Sequence, residues 1–174
     1  VNLSELRLEA SPSKDTIVDP FEDTFLYYLC AERMGPRHIQ DLKHSGFDFC
    51  GFSGEYTGQV LLNFDAALPA KKLFEERFFE TKPDTVKTLL FQVNRWINQI
   101  FPEVSVSVEK VGKVNCQILV NNSKSSRPIA APNIGFGISY CLPIIVTGLI
   151  AAKDSFFIIE NPEAHLHPQA QSRL

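Results

Sequence analysis

Ser155-Phe156-Phe157-Ile158-Ile159-Glu160-Asn161-Pro162-Glu163-Ala164-His165-Leu166-His167-Pro168 is the stretch on which the reading of this chain turns. Four apolar residues run into a carboxylate at Glu160, and Asn161-Pro162 then breaks the extended backbone. A short apolar run closed by a breaker predicts a buried strand. Glu160 stands at its carboxyl end, and open α/β sheets bind ligands outside the carboxyl ends of their strands. Hydrolysis of a nucleotide needs an acid at such a place, to hold Mg²⁺ directly or through water and to offset phosphate charge. The competing reading is a buried strand with an incidental acidic end.

Immediately upstream, residues 128–152 carry no charge. That length raises the question of a membrane span. Pro128, Pro132, Asn133, Gly135, Gly137, Pro143 and Gly148 punctuate it, and the apolar part after Ser139 is too short to cross a bilayer. It predicts a loop feeding a wholly buried helix, with no membrane involvement. Within it, Asn133-Ile134-Gly135-Phe136-Gly137-Ile138-Ser139 joins two glycines to a hydroxyl. Gly135 and Gly137 would let backbone approach a ligand, and Ser139 is the expected cap of the helix. A helix amino end with free N–H groups suits phosphate.

Further towards the amino terminus, Val104 to Val108 and Val114 to Val120 each alternate apolar with polar residues, around a turn containing Gly112. This predicts a β-hairpin with one buried face. Val86, Leu89, Leu90, Val93, Trp96, Ile97 and Ile100 recur at helical spacing, which predicts an amphipathic helix over residues 85–100 capped by Asp84. Residues 69–81 read as a charged helical insertion, 57–63 as the beginning of a short helix, 47–56 as a loop, and Phe25 to Ala31 as another buried strand. Residues 1–24 read as a segment leading in from something upstream.

Bulk properties narrow the class without naming it. A chain of 174 residues, 44% hydrophobic and 21% charged, suits one globular domain with a sizeable core. A net charge of −3 gives no general attraction to nucleic acid or to an anionic membrane. Cys30, Cys50, Cys116 and Cys141 are widely spaced, with no C-x-x-C pair and no secretory leader ahead of them. They are expected as reduced thiols in a cytoplasmic protein.

The run from Glu160 to Pro168 resembles the Walker B strand and D-loop of ABC-type ATPases, in the branch that holds SMC-like ATPases, OLD nucleases and phage-defence ATPases. Asn133 to Ser139 resembles that branch's signature element, one helix ahead of the strand. Tyr28 to Arg37 and Gly54 to Thr57 resemble softer segments between the nucleotide motifs. The resemblance implies a mixed-sheet α/β P-loop fold over residues 25–174, with the signature at about 133–139 and the Walker B strand and D-loop at 156–168. It implies ATP and Mg²⁺ as cofactors, with Glu160 as the metal-side acid and Gly135, Gly137 and Ser139 contacting nucleotide. Two heads, as a homodimer, would close on ATP and gate an effector such as a nuclease.

Two departures qualify this. Gly-x-x-x-x-Gly-Lys-[Ser/Thr], the phosphate loop, does not occur in these residues. The chain is therefore expected to be the carboxyl-side part of a head, inactive alone. The second departure is Asn161, which stands where ABC proteins carry their catalytic acid, leaving Glu163 as candidate base and His167 at the D-loop aspartate position. His165 and His167 alone make a poor metal site. Arg33 and Arg37 read as structural ion pairs with a neighbour such as Glu32, or as partners of a carboxylate or phosphate. The rival reading from another class is a non-hydrolysing scaffold that keeps the shape of such a head.

Overall fold

The hairpin organises the fold. In the computed structural model, which describes residues 24–43, 49–66, 77, 88–123, 127–130 and 135–174, strands β3 (Val104–Val111) and β4 (Asn115–Asn122) pair antiparallel over their whole length. Val106 lies opposite Val120 and Val108 opposite Ile118. Because side chains alternate across a strand, these pairs share one face with Cys116, and that face is the buried one. The far edge of β4 carries two short strands at different heights, β2 (Gln40–Asp41) and β5 (Ile129–Ala130).

Two helices cover the apolar face of the hairpin, and a third packs on them. Helix α1 (Thr57–Ala66) contributes Val60, Leu61 and Phe64, and α2 (Leu89–Ile100) contributes Leu89, Val93, Ile97 and Ile100. The expected stripe of α2 is thus the buried one, but its start needs correction. Thr88, with extended backbone and its side-chain oxygen accepting from the Phe91 amide at 3.3 Å, is the N-cap in place of Asp84. Asn94 of α2 reaches β3, donating to the Val106 carbonyl at 2.9 Å and accepting from the Val106 amide at 2.6 Å. One side-chain amide therefore serves part of a strand edge that would otherwise stand open. The lead-in residues 1–23 and the expected helix over 69–81, apart from Arg77, lie outside the described residues.

Helix α3 (Phe136–Ile150) is the uncharged helix, buried without a break from Cys141 to Thr147. No helix among the described residues is long and apolar enough to cross a membrane. Arg77 closes its carboxyl end, donating to the carbonyls of Gly148 at 3.1 Å, Ala151, and Ala152 at 3.1 Å. These are carbonyls that a helix end cannot satisfy by itself.

After a tight turn at Asp154, strand β6 (Phe156–Ile159) pairs in parallel with β1 (Leu26–Leu29), Leu26 opposite Phe156 and Leu29 opposite Ile159. Both expected strands are present, and their parallel pairing is the α/β element of the fold. Neither is buried as expected: β6 has no buried residue and β1 only Leu29, because nothing among the described residues covers one face of the pair. The amide of Ala152 donates to the Tyr27 hydroxyl at 3.1 Å, tying β1 to the α3–β6 turn. The opposite face of the pair exposes Leu26 (64%), Phe156 (48%) and Ile158 (49%). Parallel strands are ordinarily covered on both faces, so this apolar surface is unusual for its position.

Candidate nucleotide site

Glu160 follows β6 directly, and its amide still pairs with the Leu29 carbonyl at 2.9 Å. The next backbone step leaves the sheet, so its carboxylate stands exposed at the carboxyl end of the parallel pair. Both oxygens are oriented. Tyr28 donates its hydroxyl to Oε1 at 2.7 Å, and the Ala31 amide donates to Oε2 at 3.0 Å. These bonds hold the Glu160 pKa below the usual glutamate value, the tyrosine bond being the larger cause and the Ala31 amide the second. The same bond raises the pKa of Tyr28, because its phenol must stay neutral to donate. An ionised carboxylate has about four lone-pair positions. Two are taken, so the site fits a hard cation that binds oxygen.

Beneath this acid lies the residue that sequence reasoning misjudged. Arg33 is 3% exposed, and its hydrogen bonds go to main-chain carbonyls rather than to the Glu32 carboxylate. Its guanidinium doubles back under the β6 end, donating through one nitrogen to the carbonyls of Cys30 at 3.2 Å and Glu160 at 2.6 Å, and through the other to Asn161 at 2.5 Å. The guanidinium carbon sits 5.3 Å from the centre of the Tyr140 ring. Burial lowers the Arg33 pKa, while Tyr140, Cys30, Cys141 and Glu163 act to raise it. Arg37, by contrast, is exposed.

The backbone after Glu160 is contorted. Asn161 has φ 42° and His165 φ 61°, two of the four non-glycine residues with positive φ among the described residues. L-residues avoid that region, and asparagine is among the few that tolerate it. Asn161 is thus a residue type suited to this backbone step. Such outliers gather where a structure holds a loop for use. Glu163 is exposed near Arg33, and its carboxylate makes no hydrogen bond with a described residue. His167 is the N-cap of α4 (Pro168–Gln171), its Nδ1 accepting from the Gln169 amide at 3.3 Å. With Nδ1 accepting, the neutral ring carries its proton on Nε2. Among the described residues no group of three or more His, Cys, Asp or Glu side chains could hold a metal.

The signature segment meets this loop within one chain. Gly135, with φ 101° and no side-chain cap, begins α3. Ser139 is therefore not the cap that the sequence suggested but lies inside the first helical turns. Pro143 has no amide with which to close the helical bond on the Ser139 carbonyl. A side chain at Gly137 would come within 3.1 Å of the His165 carbonyl oxygen and 3.3 Å of Leu166, so the close approach this glycine permits is to the Glu160–Pro168 loop. Phe136 and Tyr140 hold the His165 ring between them, at centroid distances of 5.3 and 4.5 Å. Ser139 faces elsewhere, lining a narrow cleft with Met34, Arg37, Gln40 and Thr57. Asn133 and Ile134 lie outside the described residues.

An acid is thus oriented at the end of a parallel strand, above a loop with left-handed residues that packs on a glycine-led helix. A family model described as an AAA ATPase domain matches residues 59–174, and the chain belongs to that family. The match begins within α1 and takes in everything after it, but not β1 or Arg33. No curated protein matches the chain.

Proposed function

We propose that this domain supplies the metal-side acid and the signature element of an ATPase head. In this reading the complete protein binds ATP and Mg²⁺ between two like heads, and hydrolysis opens and closes them to gate an effector such as a nuclease. The observation that carries it is the Glu160 carboxylate, exposed at a parallel strand's carboxyl end with both oxygens oriented by Tyr28 and Ala31. Glu160 would hold Mg²⁺, which when bound neutralises phosphate charge and orients the transferred group. Glu163, whose carboxylate makes no hydrogen bond with a described residue, would serve as the base toward water, with His167 meeting the facing head. Gly135, Gly137 and Ser139 would meet the nucleotide of that facing head. The exposed apolar face of β1 and β6 supports the same reading, as a surface on which the rest of a head packs.

The test uses the complete protein that carries this domain. Glu160→Gln should remove Mg²⁺ binding and phosphate release together. Glu163→Gln should keep ATP binding and slow turnover about a hundredfold or more, the scale of a lost general base. Unchanged phosphate release in Glu160→Gln would sink the assignment. Mixing Ser139→Arg with Glu160→Gln subunits should restore part of the activity, since one composite site stays whole. A mixed dimer as inactive as either parent would remove the facing-head role of Ser139. Asn161 favours a second reading, a non-hydrolysing scaffold. ATP binding without phosphate release by the unaltered complete protein would decide for it.

A further inference from the structure

Arg33 has no part in the proposed chemistry, yet it is the most elaborately bonded side chain near Glu160. It is nearly inaccessible, and its hydrogen bonds go to main-chain carbonyls: Cys30 before it, Glu160 and Asn161 across the sheet end. A planar fork that grips two successive carbonyls fixes the orientation of the peptide between them. Here that peptide joins the acid to the left-handed Asn161, the step at which the chain leaves β6. The other face of the system is Tyr140, one turn into α3, whose ring lies under the guanidinium and edge-on to His165. A surface salt bridge would need none of this geometry. Arg33 therefore has contacts on three elements that must keep one mutual arrangement: the β1 exit, the acid turn and the first turns of α3.

We propose that Arg33 is the positioning residue of the Glu160 site, its guanidinium locking the acid-bearing turn to the first turns of α3 through Tyr140. This rests on the reading of Glu160 as the metal-side acid. Arg33 touches neither metal nor nucleotide in this role. It sets the direction of a ligand that does, as outer partners of metal ligands do.

The test compares Arg33→Lys, Tyr140→Leu and Glu160→Gln in the complete protein, with Mn²⁺ as the metal probe in the presence of ATP. Arg33→Lys keeps a charge but loses the fork. Tyr140→Leu keeps the fork but removes the ring beneath it. Electron paramagnetic resonance reads bound Mn²⁺, and thermal melting by circular dichroism reads the folded fraction. Arg33→Lys should raise the Mn²⁺ half-saturation by about tenfold or more, as expected for an outer partner of a ligand. It should lower kcat on the order of a hundredfold, the scale of a misplacement of about 1 Å. The KM for ATP should change less than about twofold, because interactions made only at the transition state show in kcat. Tyr140→Leu should move the same quantities the same way by less, and it carries the test if Arg33→Lys fails to fold. Wild-type Mn²⁺ affinity in a folded Arg33→Lys, or activity lost only in proportion to folded protein, overturns the proposal provided Glu160→Gln has lost metal. If Glu160→Gln binds Mn²⁺ normally, the reading of Glu160 falls and takes this inference with it.

Discussion

Asn161 offers a sharp experiment, because its backbone and its chemistry make opposite claims. Its φ of 42° lies in the left-handed region. A residue with a Cβ loses about 1–2 kcal/mol there, and asparagine recovers part of this through its short polar side chain. Asn161→Gln keeps the amide and the charge but loses that tolerance, so about 1 kcal/mol of stability should disappear. The turn cannot relax out of the strain cheaply, since the Asn161 carbonyl accepts from Arg33 at 2.5 Å. A hydrogen bond from a charged donor contributes about 1.5–3 kcal/mol, which exceeds the conformational gain from letting go. Asn161→Gly removes the Cβ penalty and adds chain entropy to the unfolded state, two effects that nearly cancel to within about 0.5 kcal/mol. Urea unfolding of the 174-residue chain, with a common slope across variants, measures these differences directly. In a melt, about 1 kcal/mol corresponds to roughly 2–4 °C for a domain of this length. The expected order is Gly close to Asn, and Gln clearly lower. A glutamine variant as stable as wild type, or a glycine variant below glutamine, refutes the backbone account of Asn161.

Other consequences are equally open to measurement. The bond between Tyr28 and Glu160 depresses the Glu160 pKa, so its contribution to stability is full above the unfolded value of about 4.3 and is lost as pH falls through the folded value. Tyr28→Phe should therefore flatten the acid limb of a stability–pH curve and move the Glu160 carboxyl titration, followed by carbon-13 NMR, upward; an unmoved titration would show that the bond is not made. Burial pushes the thiols of Cys50 and Cys116 up to about 11 and that of Cys141 up to about 12, while Cys30 is half-buried. Iodoacetamide on the folded chain at neutral pH should thus label Cys30 first, with mass spectrometry finding the other three protected. Gly54 has φ 80° and a Cβ there would stand 2.8 Å from the Pro143 ring, so Gly54→Ala should cost about 2 kcal/mol or more in urea unfolding. A neutral outcome would mean that α3 is not seated on that loop.

What was legible in the sequence divides along a physical line. The hairpin, the stripe of α2 and the buried uncharged α3 announce themselves because burial imposes a period, or a run, on consecutive residues, and β6 by an apolar run closed by Asn161-Pro162. Boundaries were less legible. Asp84 and Ser139 are both good capping residues, yet α2 is capped by Thr88 and α3 begins after Gly135 with no side-chain cap. Capping preference ranks residue types but does not say which turn tertiary packing will choose as the first. At α3 the choice follows from Gly137, whose bare Cα lets the helix begin against the His165 carbonyl.

The site divides in the same way. Glu160 could be found because its position depends on its own strand, a local fact. Arg33 could not, because its value depends on the carbonyls of Glu160 and Asn161, 127 and 128 residues away. An arginine beside a glutamate in sequence resembles a surface pair, and surface pairs are common and weak. The single local sign that this arginine is different is the company it keeps: it comes four residues after Leu29, the buried last residue of β1. Asn161 was open to misreading for the complementary reason. Compared by position with ABC proteins it is a lost acid, whereas its φ makes it a residue suited to a left-handed step. The two belong together: a turn strained at Asn161 keeps its shape only if something holds the peptide on either side of the strain. The Arg33 fork holds those carbonyls, so the strain and the clamp form one device for aiming Glu160.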